Sequence, residues 1–198
     1  MRRARRRIAP AIVVLAVLLL AAVLSGCGSG ERMYTDSTYG YSFRYPGTWK
    51  VQSGTTDVTA GGIAAGNVGV YDPSGTRVGD IFVDLAMVTV YNLSFTVDDA
   101  WASEVRTELE AILEDLQEQT PDVKVEQPLS QATVGDLTGY AITYTFTKDG
   151  TRLRSTLYFV VDGDREYELT IQAATSTWDT VKPVLDRVVK TFEPGRVD

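Results

Sequence analysis

Histidine is absent from the 198 residues, and cysteine occurs once, at Cys27. Without imidazole there is no Ser-His-Asp or Cys-His catalysis, no histidine metal ligand and no imidazole proton shuttle. A single thiol forms neither an internal disulfide nor a thiolate zinc site. No cofactor or metal is therefore expected. No internal repeat or low-complexity segment follows Met33. What is present is ordinary for a folded protein: 44% hydrophobic residues, 23% charged, and ten tyrosines. That composition is not disordered, collagen-like or disulfide-rich, and the length suits one domain better than two.

The first 26 residues differ in composition from the rest. Arg2, Arg3, Arg5, Arg6 and Arg7 precede an apolar run from Ile8 to Leu24, the pattern of a secretory signal. Seventeen apolar residues containing Pro10 fall short of the ~20 that a membrane span needs. The run ends Leu24-Ser25-Gly26-Cys27, which resembles the lipobox of bacterial lipoproteins. The resemblance implies that Leu24, Ser25 and Gly26 are recognised by a signal peptidase. It also implies that Cys27 carries diacylglycerol and becomes the new N-terminus. Two acyl chains give stable anchoring where one is marginal. Residues 1–26 are thus expected to be a lipoprotein signal peptide and 27–32 a short flexible tether. Residues 33–194 would form the folded domain and 195–198 a C-terminal tail.

Cleavage removes five of 19 basic residues and none of 26 acidic ones, leaving 14 against 26, a net charge of −12. Such a surface repels nucleic acid and anionic headgroups. The tether limits the domain to ~20 Å from the bilayer at about 3.5 Å per extended residue. The protein is expected at the extracytoplasmic face of the cell membrane, held by its diacylglyceryl-cysteine.

In the body, Tyr41-Ser42-Phe43-Arg44-Tyr45 alternates as a half-buried strand ended by Pro46-Gly47. Tyr34 and Tyr39 suggest a hairpin partner upstream, and Trp49 and Val51 restart the apolar pattern. Ile81 to Tyr91 is apolar on both alternations, the signature of a central strand covered on both faces. Thr96 and Asp99 read as a capping box before a helix through Trp101, Val105, Leu109, Ile112, Leu113 and Leu116. A second box, Ser176 to Asp179, opens a helix with Trp178, Val181, Leu185, Val188 and Phe192 as its stripe. Pro183 places that helix's first turn in question.

Between the helices lies a three-stranded meander. Asp149-Gly150 is a two-residue type I′ signal, pairing Lys148 with Thr151, Phe146 with Leu153 and Tyr140 with Phe159. At the next turn a three-residue loop, Asp162-Gly163-Asp164, pairs Val161 with Arg165 and Phe159 with Tyr167. A two-residue loop would set Glu166 and Glu168 opposite Phe159 and Leu157, and burying two carboxylates costs several kcal/mol. The tally is α+β: a central antiparallel sheet of about six or seven strands sandwiched by helices.

Gly40-Tyr41-Ser42-Phe43-Arg44-Tyr45-Pro46-Gly47-Thr48-Trp49 resembles the opening motif of the PsbP-like family. Leu157 to Leu169, then Trp178 and Pro183-Val184-Leu185, resemble its closing strands and last helix. The family is typified by an extrinsic subunit of the photosynthetic oxygen-evolving complex and includes bacterial envelope lipoproteins. The resemblance implies an α/β/α sandwich used for binding rather than catalysis. The photosynthetic members' partner contacts and any histidine-based metal site find no counterpart here.

The remaining chemistry is sparse. Asp162 to Glu166 resembles the start of a calcium loop. That loop needs Gly at its sixth position and Glu at its twelfth, where Tyr167 and Ala173 stand. Glu166 and Glu168 form a carboxylate pair that, beside Arg152 and Arg154, reads as a cross-strand charge ladder on a solvated face. A ligand pocket, if there is one, is expected under the glycine-rich stretch Gly61 to Gly69. The expected function is that of a non-enzymatic envelope lipoprotein that binds a protein partner or assists assembly at the membrane surface. The alternative is a carrier of a hydrophobic envelope ligand such as a lipid, and the third reading is a carboxylate-based hydrolase. Replacing Cys27→Ser is expected to move the protein from the membrane fraction to the soluble fraction; unchanged membrane retention would point to an uncleaved signal anchor.

Overall fold

The computed structural model describes residues 30–56, 65–93, 96–97, 102–119 and 122–195. The lipobox residues Leu24 to Cys27, Asp99 of the first capping box, and residues 57–64 lie outside them.

The elements in chain order are β1 (Glu31–Thr35), β2 (Ser42–Pro46), β3 (Lys50–Thr56), β4 (Ala65–Tyr71), β5 (Arg77–Val78), β6 (Ile81–Phe82) and β7 (Leu85–Asn92). Then come α1 (Ala102–Gln119), β8 (Lys124–Val134), β9 (Leu137–Lys148), β10 (Thr151–Asp162), β11 (Arg165–Ala174) and α2 (Trp178–Lys190). A seven-stranded antiparallel sheet runs β3-β4-β7-β11-β10-β9-β8. The pairs β1–β2 and β5–β6 are separate two-stranded sheets. This is the expected α+β sandwich. Glu31 and Arg32, expected in the tether, are the first residues of β1, and Glu31 pairs with Arg187 of α2.

One face of the sheet packs on α2. Val68, Val70, Ala86, Val88, Val90, Leu169 and Ile171 meet Trp178, Leu185, Val188 and Val189. The alternation of β2 sends Tyr41, Phe43 and Tyr45 into this same core. Tyr41 stacks 5.9 Å from Phe192 and meets Tyr167 edge-on at 6.1 Å, geometries that add to burial in aromatic clusters. Ser42 exchanges both backbone hydrogen bonds with Glu193, at 2.9 and 2.8 Å. The opposite face carries α1, whose Leu109 and Leu113 pack on Ile142 and Phe159.

The β9–β10 register is the one derived from Asp149-Gly150, Lys148 opposite Thr151 through Tyr140 opposite Phe159. Both turn residues have positive φ, 47° and 77°, as type I′ requires.

The β10–β11 register corrects the sequence expectation. Asp162 pairs with Arg165 across a two-residue loop, Val161 faces Glu166, Phe159 faces Glu168 and Leu157 faces Thr170. Gly163 at φ 65° holds the first central position, and Asp164 is not in the left-handed region, the arrangement of a type II′ turn. The three-residue loop is favoured only where a single face of the sheet is buried. Both faces are covered, so Tyr167, Leu169 and Ile171 turn to α2 while β10 contributes Val160 to that side and Phe159 to the α1 side.

Three smaller corrections follow from the same packing. Ile81 and Phe82 leave the central strand and form the β5–β6 hairpin. The second capping box is not made: Thr177, not Ser176, precedes the helix, with no side-chain cap bond. Pro183 lies inside α2 on its exposed side, where the carbonyl it leaves without a backbone donor can meet water. Val51 points outward rather than into the core, 39% exposed.

The buried carboxylate of Asp84 joins four segments. It accepts from Thr76 N at 2.8 Å, Ala174 N at 3.2 Å and the Thr177 hydroxyl at 3.3 Å. Removing it leaves backbone donors buried without acceptors. Asp84→Ala is expected to destabilise the fold by about 3–5 kcal/mol, read as a lowered urea midpoint, with Asp84→Asn intermediate; a loss below about 1 kcal/mol would show that water replaces the carboxylate.

Candidate binding groove

Leu109 and Leu113 of α1 cover β9 and β10. On the same face, the other end of the sheet presents Gln52 and Gly54 from β3, Asn67, Gly69 and Tyr71 from β4, and Leu85 and Met87 from β7. The β5–β6 hairpin rises beside them with Asp80, Ile81 and Phe82. Together they line an open groove of about 360 Å³.

Its walls are apolar and held in place. Phe82 stacks on Tyr71 at 4.9 Å, and the Arg77 guanidinium lies 4.8 Å over the Phe82 ring. Asp84 fixes the base of the hairpin through Thr76. Ile81 remains 49% exposed at the rim. The floor is deep because two positions lack side chains. At Gly54 a Cβ would strike Asn67 Oδ1 at 2.6 Å, whereas at Gly69 it would make only ordinary contacts, 3.7 and 3.8 Å from backbone oxygens. A Cβ at Gly69 is thus tolerated without a clash. The expected location under Gly61 to Gly69 is met at its end, by Asn67 and Gly69; residues 57–64 lie outside the described residues.

Among the described residues the only carboxylate lining this groove is Asp80, ion-paired with Arg77 at 3.5 Å. A glycosidase-type pair needs two carboxyl groups about 5–10 Å apart. Among the described residues no three His, Cys, Asp or Glu side chains gather as metal ligands.

The α2 side holds a second concavity, of about 270 Å³, lined by Glu126, Arg154, Trp178 and Lys182 among others. Its charges are already paired. Arg154 bonds Glu126 at 2.5 Å and lies 5.5 Å over the Trp178 ring, while Lys182 holds Asp186. Thr143 shares hydrogen bonds with Gln127 and Thr156. The charges of this patch are thus paired with one another, while Arg154 Nε is buried without a hydrogen-bond partner.

The charge ladder read from the sequence is not formed. Arg152 and Arg154 project on the α2 side, Arg152 to Asp122 at 3.3 Å. Glu166 and Glu168 project on the α1 side, because the two-residue loop shifts β11 by one position. Glu168 accepts from the Tyr91 hydroxyl at 3.4 Å. Burial holds the Glu168 carboxyl above the usual carboxylate range, outweighing the hydrogen bond from Tyr91, which lowers it. The Tyr91 phenol is pushed up to about 12 by burial first, then by Glu168 and Glu166. Neither concavity is lined by Glu166 or Glu168.

Comparison with known proteins places this geometry. A family model described as PsbP matches residues 29–194. No curated protein matches the chain. Among solved structures, the cyanobacterial PsbP (CyanoP) from Synechocystis sp. PCC 6803 is similar with a TM-score of 0.51 and 20% identity. That match covers 85% of this chain and 95% of the other. LpqN of Mycobacterium tuberculosis, described as involved in cell envelope biogenesis, is similar with a TM-score of 0.53 and 12% identity. It covers 89% of this chain and 97% of the other. At these identities the structural likeness is one of fold.

Glu168 generates a pH dependence of known sign. The folded chain keeps a proton that the unfolded chain releases at lower pH. The contribution of Glu168 is therefore most favourable in acid, and stability is lost as pH rises from the unfolded to the folded pKa. Glu168→Gln keeps an acceptor for Tyr91 and removes the titration. It is expected to raise Tm at pH 7 by about 2–4 °C, the shift that about 1 kcal/mol makes in a domain of this size, with the gain fading toward pH 4. Equal Tm at both pH values would show that the carboxylate ionises without cost.

Proposed function

The chain belongs to the PsbP family, and from its groove we propose that it works by binding an apolar ligand at the extracytoplasmic face of the cell membrane, not by catalysis. In this reading Leu24, Ser25 and Gly26 guide signal-peptide cleavage, and diacylglyceryl-Cys27 anchors the domain. No described helix is long and apolar enough to cross a membrane. Because β1 begins at Glu31, a chain anchored at Cys27 has only about 14 Å of extended tether. The involvement of LpqN in cell envelope biogenesis fits the compartment that the export signal implies.

The observation that carries this reading is the groove of about 360 Å³, within the size range of small-molecule sites. Phe82, Ile81, Leu85 and Met87 supply apolar walls for a hydrocarbon chain. Gln52, Asn67 and Asp80 supply a polar margin for a headgroup. Partnership with an envelope protein is the second reading, supported by Ile81 and Val51, both exposed apolar side chains.

Gly69→Leu places a side chain in the groove, its Cβ making only ordinary contacts with backbone oxygens. It is expected to weaken binding of a fluorescent fatty-acid probe such as dansyl-undecanoic acid at least tenfold, with Tm unchanged. Undiminished probe affinity in this variant, or no binding by the parent protein, would overturn the ligand reading.

A further inference from the structure

The two edges of the main sheet are built differently. The β8 edge carries two register shifts, between Val125 and Gln127 and between Gln127 and Ser130, with Pro128 inside the second. Bulges and proline are the usual devices that stop an edge from pairing with another chain. The β3 edge has neither. Its seven residues pair with β4 without a shift, from Lys50 opposite Tyr71 to Thr56 opposite Ala65. Lys50 to Gly54 are all exposed.

We propose that β3 is the contact through which two copies of this chain join, antiparallel, about a two-fold axis at Ser53. The sequence Lys50-Val51-Gln52-Ser53-Gly54-Thr55-Thr56 is compatible with itself in that register. Lys50 lies opposite Thr56, Val51 opposite Thr55 and Gln52 opposite Gly54, while Ser53 meets its own copy. Lys50 is the strand's one charge and never faces another lysine, the arrangement that destabilises cross-strand pairs. Such an interface is isologous and closes at two copies.

The consequences follow from the symmetry. An axis normal to the sheet keeps the α1 faces of both copies on one side. Gln52 and Gly54 line the groove, so pairing Gln52 with Gly54 of the second copy joins two grooves into one trough. Both β1–β2 hairpins then lie on the other side, so both chains start from the same side and share one bilayer. That last clause rests on the anchoring proposed above; the pairing does not.

Directly opposed residues in an antiparallel pair have Cα atoms about 4.5–5.5 Å apart, within disulfide reach. Ser53→Cys, oxidised with copper-phenanthroline in native membranes, is expected to run at twice its mass on a non-reducing gel, the parent protein remaining single. Ser53→Lys and Ser53→Glu each place like charges at the axis and are expected to weaken dimerisation at least tenfold by native mass spectrometry. Mixing the two variants restores it. Ser53→Ala, which removes only the hydroxyl bonded to Tyr34, stays dimeric. Absence of the Ser53→Cys cross-link, cross-linking to a different protein, or full dimerisation of both charged variants would overturn the proposal. If the protein is found in the soluble fraction, the same cross-link is read there, so failure of anchoring and failure of pairing are separate results.

Discussion

A sheet with apolar side chains on both faces must be covered on both, and the described residues supply one helix for each. That constraint orders most of the molecule. The apolar stripe of α2, joined by β2 and Phe192, closes the face of Val68, Val88 and Ile171. On the other side α1 reaches Ile142 and Phe159 and leaves the β3–β4–β7 end to the β5–β6 hairpin. The groove lies between that hairpin and the sheet. The same constraint sets the register of β11, whose apolar residues turn to α2 and whose glutamates turn to α1. Glu168 is half-buried in consequence, and its displaced proton affinity records the cost.

Asp84 complements this division. Its carboxylate ties the loop before β5 to the end of β11 and the start of α2. The hairpin wall is therefore fixed to the same frame as the α2 core. A groove walled by a two-residue hairpin would otherwise be soft, since an isolated hairpin of that length has little stability of its own. Tyr71, Phe82 and Arg77 then stack as one layer, which gives the wall a defined shape.

How much of this is legible in the sequence depends on the range of the interaction. The Asp149-Gly150 hairpin is, because its dihedral demand is local and fixes ten pairs between β9 and β10. The aromatic alternation of β2 is legible for the same reason. The Gly163-Asp164 turn was missed although Gly163 carries a type II′ signal, because the burial argument weighed against it assumed a single covered face. Asp84 gives no signal at all. Two of its three partners are backbone N–H groups, one of them 90 residues away, and nothing in residue type announces them. The groove is half legible: the glycines mark where side chains are missing, but which end of the sheet α1 leaves open is a matter of helix placement. Arg154 illustrates the same limit, since its partners Glu126 and Trp178 come from distant elements.

The bridge between Ser42 and Glu193 has a temporal meaning as well as a spatial one. Two early aromatic residues of the domain, Tyr41 and Phe43, share their core with Val189 and Phe192 from its last segment. A polypeptide made from its N-terminus onward holds those aromatics without these two partners until the segment through Phe192 has been added. Contacts of such long sequence separation also slow the search for the native topology. The architecture thus completes its aromatic core only once the segment after α2 is in place.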